Sequence, residues 1–312
     1  MGTRGRLPVR GPDCMDQQQA RTDPYGVRGL RRNTYMHILV TNDDGLWAQG
    51  IQALVAAIPA EHTISVVAPA SPQSAKGHSL TMHKPLRVTK VDDYVHPGVD
   101  AWSVSGTPVD CMMLGLDTLV EQKVDIVFSG INHGDNLGDD LPYSGTVSGA
   151  YEAFLSGYPS IAFSTAFPRT GNPGFDFSPI TWFLQKMLPL IPELIGINQP
   201  LTKSFSNELN GSLFLNVNAP NCPVSDVKGI RIVPQGRRRY AHRVTASVDQ
   251  FGAPIYWIGG DVPPIPQEGT DVTAVADGYI SVTPLGIDLT DYILLERLQQ
   301  LGTFAGLTPA SQ

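Results

Sequence analysis

Short apolar runs alternate with amphipathic stretches along most of the chain, and this rhythm predicts the order of its elements. HILVT at 37–41 and TISVVAP at 63–69 have the length and the β-branched content of buried strands. IQALVAAI at 51–58, between them, spaces its apolar residues as a helix does. A strand, a helix and a second strand in this order are typical of a parallel sheet, so the chain opens with a βαβ unit.

The same alternation continues to about residue 165 and predicts an α/β fold with a Rossmann-like, doubly wound and mostly parallel sheet. Further strands are predicted at 100–105, 124–130, 159–164 and 212–220, and further helices at 109–120, 146–157 and 180–195.

Beyond residue 221 the pattern changes. The segment 243–260 is typical of a hairpin, and 270–285 mixes helical and strand patterns before it closes on a strand. We expect about 221–312 to form a C-terminal hairpin and helix extension that takes part in oligomerisation or borders the active site.

Residues 1–35 differ from the rest of the chain because they hold seven Arg and three Asp and show no apolar periodicity. This composition predicts a disordered tail. The alternative is that Met36, directly before the first strand, is the native start and that the residues before it are not native. Both interpretations place the folded domain at 36–312.

Composition excludes several classes of protein. With 22 Lys and Arg against 29 Asp and Glu, the net charge of -7 argues against binding to nucleic-acid duplexes or anionic membranes. No run approaches the roughly 20 apolar residues that a membrane span needs. The three cysteines are odd in number and widely spaced, so we expect neither a disulfide framework nor a structural zinc site. A cytoplasmic protein is the expectation.

Two adjacent carboxylates, Asp43 and Asp44, follow the first predicted strand. Ligands bind at the carboxyl ends of the strands in a doubly wound sheet, and two buried negative charges side by side are costly unless a cation neutralises them. Oxygen ligands of this kind favour Mg²⁺, Mn²⁺ or Ca²⁺ over zinc. The alternative is that Asp43 caps the next helix while Asp44 forms a turn with Gly45.

Two further loops follow predicted strands. The loop at 71–79 is rich in small hydroxyl residues and carries Lys76, so it can offer hydroxyl ligands to a metal and positive charge to a phosphate. The loop after 124–130 leads to Ser144-Gly145-Thr146, a helix start whose N–H groups can bind an anion. Each loop alone could be an ordinary surface loop or capped turn, but together they predict a metal beside an anion site.

The segments that carry this chemistry resemble the SurE family of survival-protein phosphatases. The matching motifs are VTNDDG at 40–45, the 74–79 loop followed by HKPLRV, SGTPVDC at 105–111, and SGIN, GDNLGDD and YSGTVSGA within 129–150. LFLNVNAP, IYWIGG, GTD and SVTPL follow in the same order, so the resemblance spans about 36–290. One small departure is Gln49, where the family commonly has proline.

The resemblance implies a 5′-nucleotidase that hydrolyses nucleoside 5′-monophosphates, with 3′-monophosphates and short polyphosphate as further substrates, and that forms a homodimer or homotetramer. It also implies one divalent cation per subunit, Mg²⁺ or Mn²⁺. The implied metal ligands are Asp43, Asp44, Ser74 and Asn132, of which Asp43, Asp44 and Asn132 are the expected catalytic residues. The expected substrate-binding residues are Asn42, Gly106, Thr107, Asn136, Ser144, Gly145 and Thr146.

Two points stay open at the level of sequence. His78 or His133 could donate a proton to the leaving alcohol, although a loop histidine is often only solvated. A non-catalytic nucleotide-binding regulator is the alternative function, which the intact set of four metal ligands disfavours. A dinucleotide-dependent oxidoreductase is also disfavoured, because no GxGxxG follows the first strand.

Overall fold

The alternating elements are visible in a computed structural model that describes residues 35–168, 174–196, 213–238, 244–259 and 267–301. All of these residues belong to one compact unit. The predicted tail over 1–35 lies outside the described residues apart from Tyr35, so the expectation for it stays a prediction.

Most strands line up in one mixed sheet. The described strands are β1 (His37–Thr41), β2 (Thr63–Pro69), β3 (Val88–Val91), β4 (Asp100–Val104), β5 (Ile126–His133), β6 (Ser160–Thr165), β7 (Phe214–Ala219), β8 (Ile230–Ile232), β9 (Val244–Val248), β10 (Pro254–Ile258) and β11 (Ile280–Pro284). Nine of them form a sheet in the order β3-β4-β2-β1-β5-β6-β7-β11-β8. Two of the eight neighbouring pairs in this sheet, β3 with β4 and β11 with β7, are antiparallel and the other six are parallel, which confirms the prediction of a mostly parallel sheet.

The strand order reverses at β1, which pairs in parallel with β2 on one side and with β5 on the other. Such a switch point opens a crevice at the carboxyl ends of the strands, where ligands bind in doubly wound folds. The carboxyl end of β1 is followed directly by Asp43 and Asp44. The fold therefore places both carboxylates at this crevice.

Helices cover both faces of the sheet. They are α1 (Gln49–Ala57), α2 (Pro108–Leu114), α3 (Gly145–Leu155), α4 (Ser178–Met187), α5 (Ile191–Gly196), α6 (Asp271–Ala276) and α7 (Tyr292–Leu301). Because side chains alternate along a strand, Ile38 and Val40 of β1 pack with α1 and α4, whereas Leu39 packs with Cys111 of α2. Burial raises the pKa of the Cys111 thiol, consistent with a cysteine that serves as a core hydrophobe.

The long helix predicted at 180–195 is divided. The first part, α4, ends at Met187, and a short 3-10 turn over Leu188–Leu190 precedes α5. Pro189 and Pro192 cause the interruption, because proline lacks the N–H that an α-helix needs in its interior. The strand predicted at 124–130 is longer than expected, because β5 continues to His133 across an irregularity between Ser129 and Asn132.

The C-terminal part matches the predicted pattern. The strands β9 and β10 pair as an antiparallel hairpin, and 270–285 forms α6 followed by β11. The helix α7 was not predicted and exposes several apolar side chains. Within the described ranges, no helix combines the length and the apolar character that crossing a membrane requires. Oligomerisation through this extension stays a prediction.

Candidate functional site

Asn42 closes the turn that follows β1. Its Nδ2 donates to the Gly45 carbonyl at 2.9 Å, and its Oδ1 accepts from the Gly45 N–H at 3.2 Å. Gly45 has a φ of +100°, a conformation that glycine adopts without strain. The side chain of Asn42 is therefore engaged within the turn, where it positions Asp43 and Asp44.

Asp43 is buried, 5% exposed, against the first turn of α3. The Thr146 hydroxyl donates a hydrogen bond to its Oδ1. A Cβ atom on Gly145 would lie 2.7 Å from the Cβ of Asp43, so only glycine permits this approach. No Lys, Arg or His forms an ion pair with Asp43 within the described part of the chain.

The electrostatics of Asp43 follow from this position. Burial raises the pKa of Asp43 from 3.8 to about 6, and the charge of Asp44 raises it as well, while the hydrogen bonds from Thr146 act in the opposite direction. A buried carboxylate without a cationic partner is costly in its ionised form. A divalent cation would remove that cost, so the chemistry of this donor set fits the implied metal.

Asp44 is held at the end of β5 by His133. Its Oδ2 accepts from the His133 backbone N–H at 3.1 Å and lies 3.7 Å from Nδ1 of the same residue. The Gly50 N–H donates to His133 Nε2 at 3.2 Å, which assigns the ring proton to Nδ1 on the side of Asp44. The geometry therefore favours a positioning role for His133 over proton donation to a leaving group.

Asn132, at the end of β5, has its amide group fixed. Nδ2 donates to the Gly134 carbonyl at 2.7 Å, which leaves Oδ1 as the atom available to a metal. The unexpected extension of β5 thus places Asn132 in the strand rather than in the loop. No group of three His, Cys, Asp or Glu suited to a metal occurs in the described ranges, and the implied ligand set contains only two such residues.

The loop that carries Ser74 passes beside Asp43. The Gln73 N–H donates to the Asp43 carbonyl at 2.8 Å, and the Gly77 N–H donates to the Tyr143 carbonyl at 3.1 Å. Ser74 lies between these two anchors and is exposed, and its hydroxyl makes no hydrogen bond to any described residue. The loop that carries Ser74 is therefore anchored to the backbone of Asp43 one residue before Ser74, and the Ser74 hydroxyl is available.

Ser144 caps α3, and its Oγ accepts from the Val147 N–H at 3.0 Å. Thr146 is committed to Asp43. The N–H of Gly145 has no acceptor among the residues that the structure describes. Because a helix N-terminus carries partial positive charge, this amide is the one that can bind a phosphate oxygen.

Two of the predicted substrate-binding positions, Thr107 and Asn136, make structural contacts, and their contact with a substrate stays a prediction. Thr107, which follows Gly106, caps α2, and its hydroxyl donates to the Ser79 carbonyl at 2.8 Å. Asn136 donates through Nδ2 to the Ser164 hydroxyl at 2.8 Å. Neither residue bonds to Asp43, Asp44 or Asn132 in the described ranges, so their observed role is to hold the loops around the site.

Two buried carboxylates that support the site were not predicted. Asp110 accepts from the N–H of Thr81 at 2.9 Å and so secures the end of the Ser74 loop. The spacing of Thr107 and Asp110 is that of a capping box, a signal that could have identified this role. Asp271 accepts from the Gly138 N–H at 3.0 Å, and the separation of the two along the chain hides the contact from sequence patterns.

Paired carboxylates at the switch point of a doubly wound sheet, next to a helix N-terminus with an available N–H, fit a hydrolase of phosphate esters with an α/β fold. The chain belongs to the SurE family, because the family model described as "Survival protein SurE" matches residues 38–242. This confirms the resemblance that the motifs indicated.

Proteins named 5′-nucleotidase SurE are similar to this chain over most of its length. The relative from Moorella thermoacetica is 42% identical over 264 residues, which cover 84% of this chain and 95% of the relative. The relative from Geobacter sulfurreducens is 45% identical over 265 residues, which cover 85% of this chain and 93% of the relative. The crystal structure of the SurE protein from Aquifex aeolicus matches with a TM-score of 0.67 and 39% identity, over 85% of this chain and 99% of that one.

Proposed function

We propose that the chain is a divalent-metal-dependent phosphatase that converts a nucleoside 5′-monophosphate and water into nucleoside and phosphate. The observation that carries the proposal is the buried Asp43, which lies beside Asp44, has no cationic partner within the described residues and contacts the first turn of α3. The relatives named 5′-nucleotidase support the substrate class and disfavour a non-catalytic regulator.

Four oxygen ligands, from the two loops that follow β1 and β2 and from the end of β5, would hold the cation: Asp43, Asp44, Ser74 and Asn132. When bound, a divalent cation supplies positive charge next to the phosphate and makes a water molecule more acidic. The available hydroxyl of Ser74 and the fixed amide of Asn132 support this assignment.

The other catalytic contributions come from groups of the chain itself. The Gly145 N–H binds a phosphate oxygen, and the partial positive charge of the α3 N-terminus stabilises the negative charge that grows during attack. Oδ2 of Asp43 is the oxygen that remains for the cation, because Oδ1 accepts the hydrogen bond from Thr146. His133 keeps Asp44 in place through two contacts with the same carboxylate oxygen.

The experiment is phosphate release from AMP, GMP, 3′-AMP and short polyphosphate, with Mg²⁺, Mn²⁺ or EDTA. We expect metal-dependent release by the parent protein and a loss of at least about 1000-fold in the Asp43→Asn, Asp44→Asn double variant. The matched control is Asp92→Asn, Asp93→Asn, which removes another adjacent pair of acids, both exposed and outside the site. Full activity in the first double variant would refute the proposal.

The finer assignments belong to the same proposal. The panel of metals and substrates identifies the preferred cation and any activity on 3′-monophosphates or polyphosphate. Homodimer or homotetramer formation is tested by sedimentation of the purified chain, and a cytoplasmic location by fractionation of the source cells. Each of these stays a prediction.

A further inference from the structure

Phe167 is an exposed aromatic residue close to the proposed metal centre. It follows β6 and is 63% exposed. A Cβ atom on Gly134 would lie 2.6 Å from Cζ of Phe167, so the ring lies against the backbone of Gly134. The carbonyl of Gly134 accepts the hydrogen bond that fixes Asn132. One residue therefore separates the aromatic ring from an implied metal ligand.

Phe167 also lines a cavity of about 780 Å³. Asp135 and Leu137, from the loop that follows Asn132, form part of the same wall, and Asn221 contributes from the segment after β7. Small-molecule sites have volumes of about 300–1000 Å³, so this cavity can take a nucleoside. Phe167 follows the carboxyl end of β6 and Asn221 that of β7, and both strands run in the direction of β1, so the cavity lies at the edge of the sheet where β1 ends.

Two of the polar side chains that line the same cavity, Asp135 and Asn221, are already paired. Asp135 Oδ2 accepts from Arg238 at 2.6 Å, and Asn221 Oδ1 accepts from the Asp176 N–H at 2.7 Å. A planar ligand would therefore gain more from the face of the phenylalanine ring than from hydrogen bonds to these groups. Stacking on an aromatic side chain is tolerant of base identity, because every nucleobase has a π-face.

We propose that Phe167 forms the stacking wall of a nucleobase subsite in this cavity. The enzyme then favours nucleoside monophosphates over phosphate esters that lack a base, and it discriminates weakly between bases. This inference rests on the proposed function, since it assigns a place to the nucleoside whose phosphate lies near Gly145.

The test compares kcat/KM for AMP, UMP and ribose 5-phosphate, an ester without a base, in the Mn²⁺-loaded enzyme. We expect Phe167→Ala to lower kcat/KM for AMP and UMP by about tenfold, because one stacking contact is lost. The value for ribose 5-phosphate should change much less, and Phe167→Trp should restore the preference for nucleotides. Tyr35→Ala is the matched control, because Tyr35 is an exposed aromatic residue before the start of β1, at the opposite end of the strand from the site.

An equal loss for all three substrates would overturn the inference, as would a loss specific to nucleotides in Tyr143→Ala instead. Tyr143 is the competing aromatic residue, 66% exposed beside the start of α3. Adenosine binding without metal, followed by ligand-observed NMR, gives an independent readout that Phe167→Ala should weaken. If the parent protein hydrolyses none of the esters, the proposed function fails, and adenosine binding still decides whether the subsite exists.

Discussion

His78 Nε2 lies 2.8 Å from Glu152 Oε2, and this ion pair joins the loop that carries Ser74 to the helix α3. The imidazole also packs edge-on against Tyr151, with ring centroids 4.9 Å apart. Because the first turn of α3 contacts Asp43, the pair links the position of Ser74 to that of the buried carboxylate. His78 therefore holds the loop, and its Nε2 is engaged away from a leaving group.

Breaking this pair should weaken metal binding without unfolding the protein. We expect Glu152→Ala to raise the Kd for Mn²⁺ about fivefold, as is typical of one modest, partly exposed ion pair. His78→Ala should have a similar effect, and the double variant should be little worse than either single one. Isothermal titration of the metal-free protein provides the measurement.

The control for this double-mutant cycle is Asp100→Ala. It breaks the exposed ion pair between Asp100 and Lys90, which joins β4 to the edge strand β3. Its Kd for Mn²⁺ should equal that of the parent protein. Strictly additive effects of the His78 and Glu152 substitutions would show that the two residues do not act as a pair.

A side chain at Gly145 should disable the site. The Cβ of alanine would lie 2.7 Å from Cβ and 2.9 Å from Oδ2 of Asp43, so the carboxylate must move. We expect Gly145→Ala to lower kcat/KM for AMP at least about 100-fold, because misplacement of a catalytic group by about 1 Å has effects of that size. Circular dichroism and the melting temperature should show a folded protein.

Gly286→Ala is the matched control, since a Cβ atom there meets nothing within 4 Å. It should retain the kcat/KM of the parent protein. Parent-like activity in Gly145→Ala would mean that the contact between Asp43 and α3 is not needed for catalysis.

The elements that bury an apolar face could be predicted from sequence, and so could the exposed β9-β10 hairpin, because Asp and Gly mark its turn. The short or exposed strands at the edges of the sheet could not. β1 is fully buried and hydrophobic, so HILVT alone identifies it. β3 exposes Val88 at the edge of the sheet, and β8 has only three residues, so neither shows a clear period. The residues around Asp43 were predictable because they follow strands whose ends must meet at one edge of the sheet.

Contacts between segments that are far apart in sequence could not be predicted. Asn136 bonds to Ser164 and Asn218, and Asp271 bonds to Gly138, across separations that no local pattern encodes. The role of His133 was also not predictable, because it depends on the start of α1, where Gly50 donates to the imidazole. A sequence motif indicates which residue types are present, whereas these contacts decide which atoms remain available.

Stability should depend on the protonation of His37. Burial lowers the pKa of His37 below 6.5, although the charges of Asp125 and Asp100 act in the opposite direction. Below about pH 6.5 the unfolded chain takes up a proton that the folded protein does not, so the free energy of unfolding falls as the pH falls. The fall ends below the pKa of the folded state, where both states are protonated.

We expect His37→Gln to remove this dependence, which has a slope of at most about 1.4 kcal/mol per pH unit. The measurement is urea unfolding of metal-free protein at several pH values between about 7.5 and 5. Asp43 titrates in the same range with the opposite effect on stability. Both proteins retain Asp43, so its contribution cancels in the difference between parent and variant, and that difference reports on His37. Parallel pH profiles in the two proteins would contradict the prediction.

The ionised carboxylate of Asp43 should destabilise the metal-free protein at neutral pH. Its pKa is about 6 in the folded state, against 3.8 as the ordinary value. Between these values the folded protein binds a proton that the unfolded chain does not, so stability is highest at low pH and is lost as the pH rises through about 6. A pKa shift of this size lowers the free energy of unfolding by about 3 kcal/mol at neutral pH.

At neutral pH and without metal, Asp43→Asn should therefore unfold at a higher urea concentration than the parent protein, with a gain of up to about 3 kcal/mol that disappears near pH 4. Addition of Mn²⁺ should stabilise the parent more than the variant, because the variant keeps only one of the two carboxylates, that of Asp44, to bind the cation. Asp44→Asn, at a carboxylate that stays 16% exposed, should give the smaller gain. The contrary result is a metal-free Asp43→Asn protein that is less stable than the parent at neutral pH. It would mean that the Asp43 carboxylate stabilises the fold through its contact with α3 and does not destabilise it in the absence of a cation.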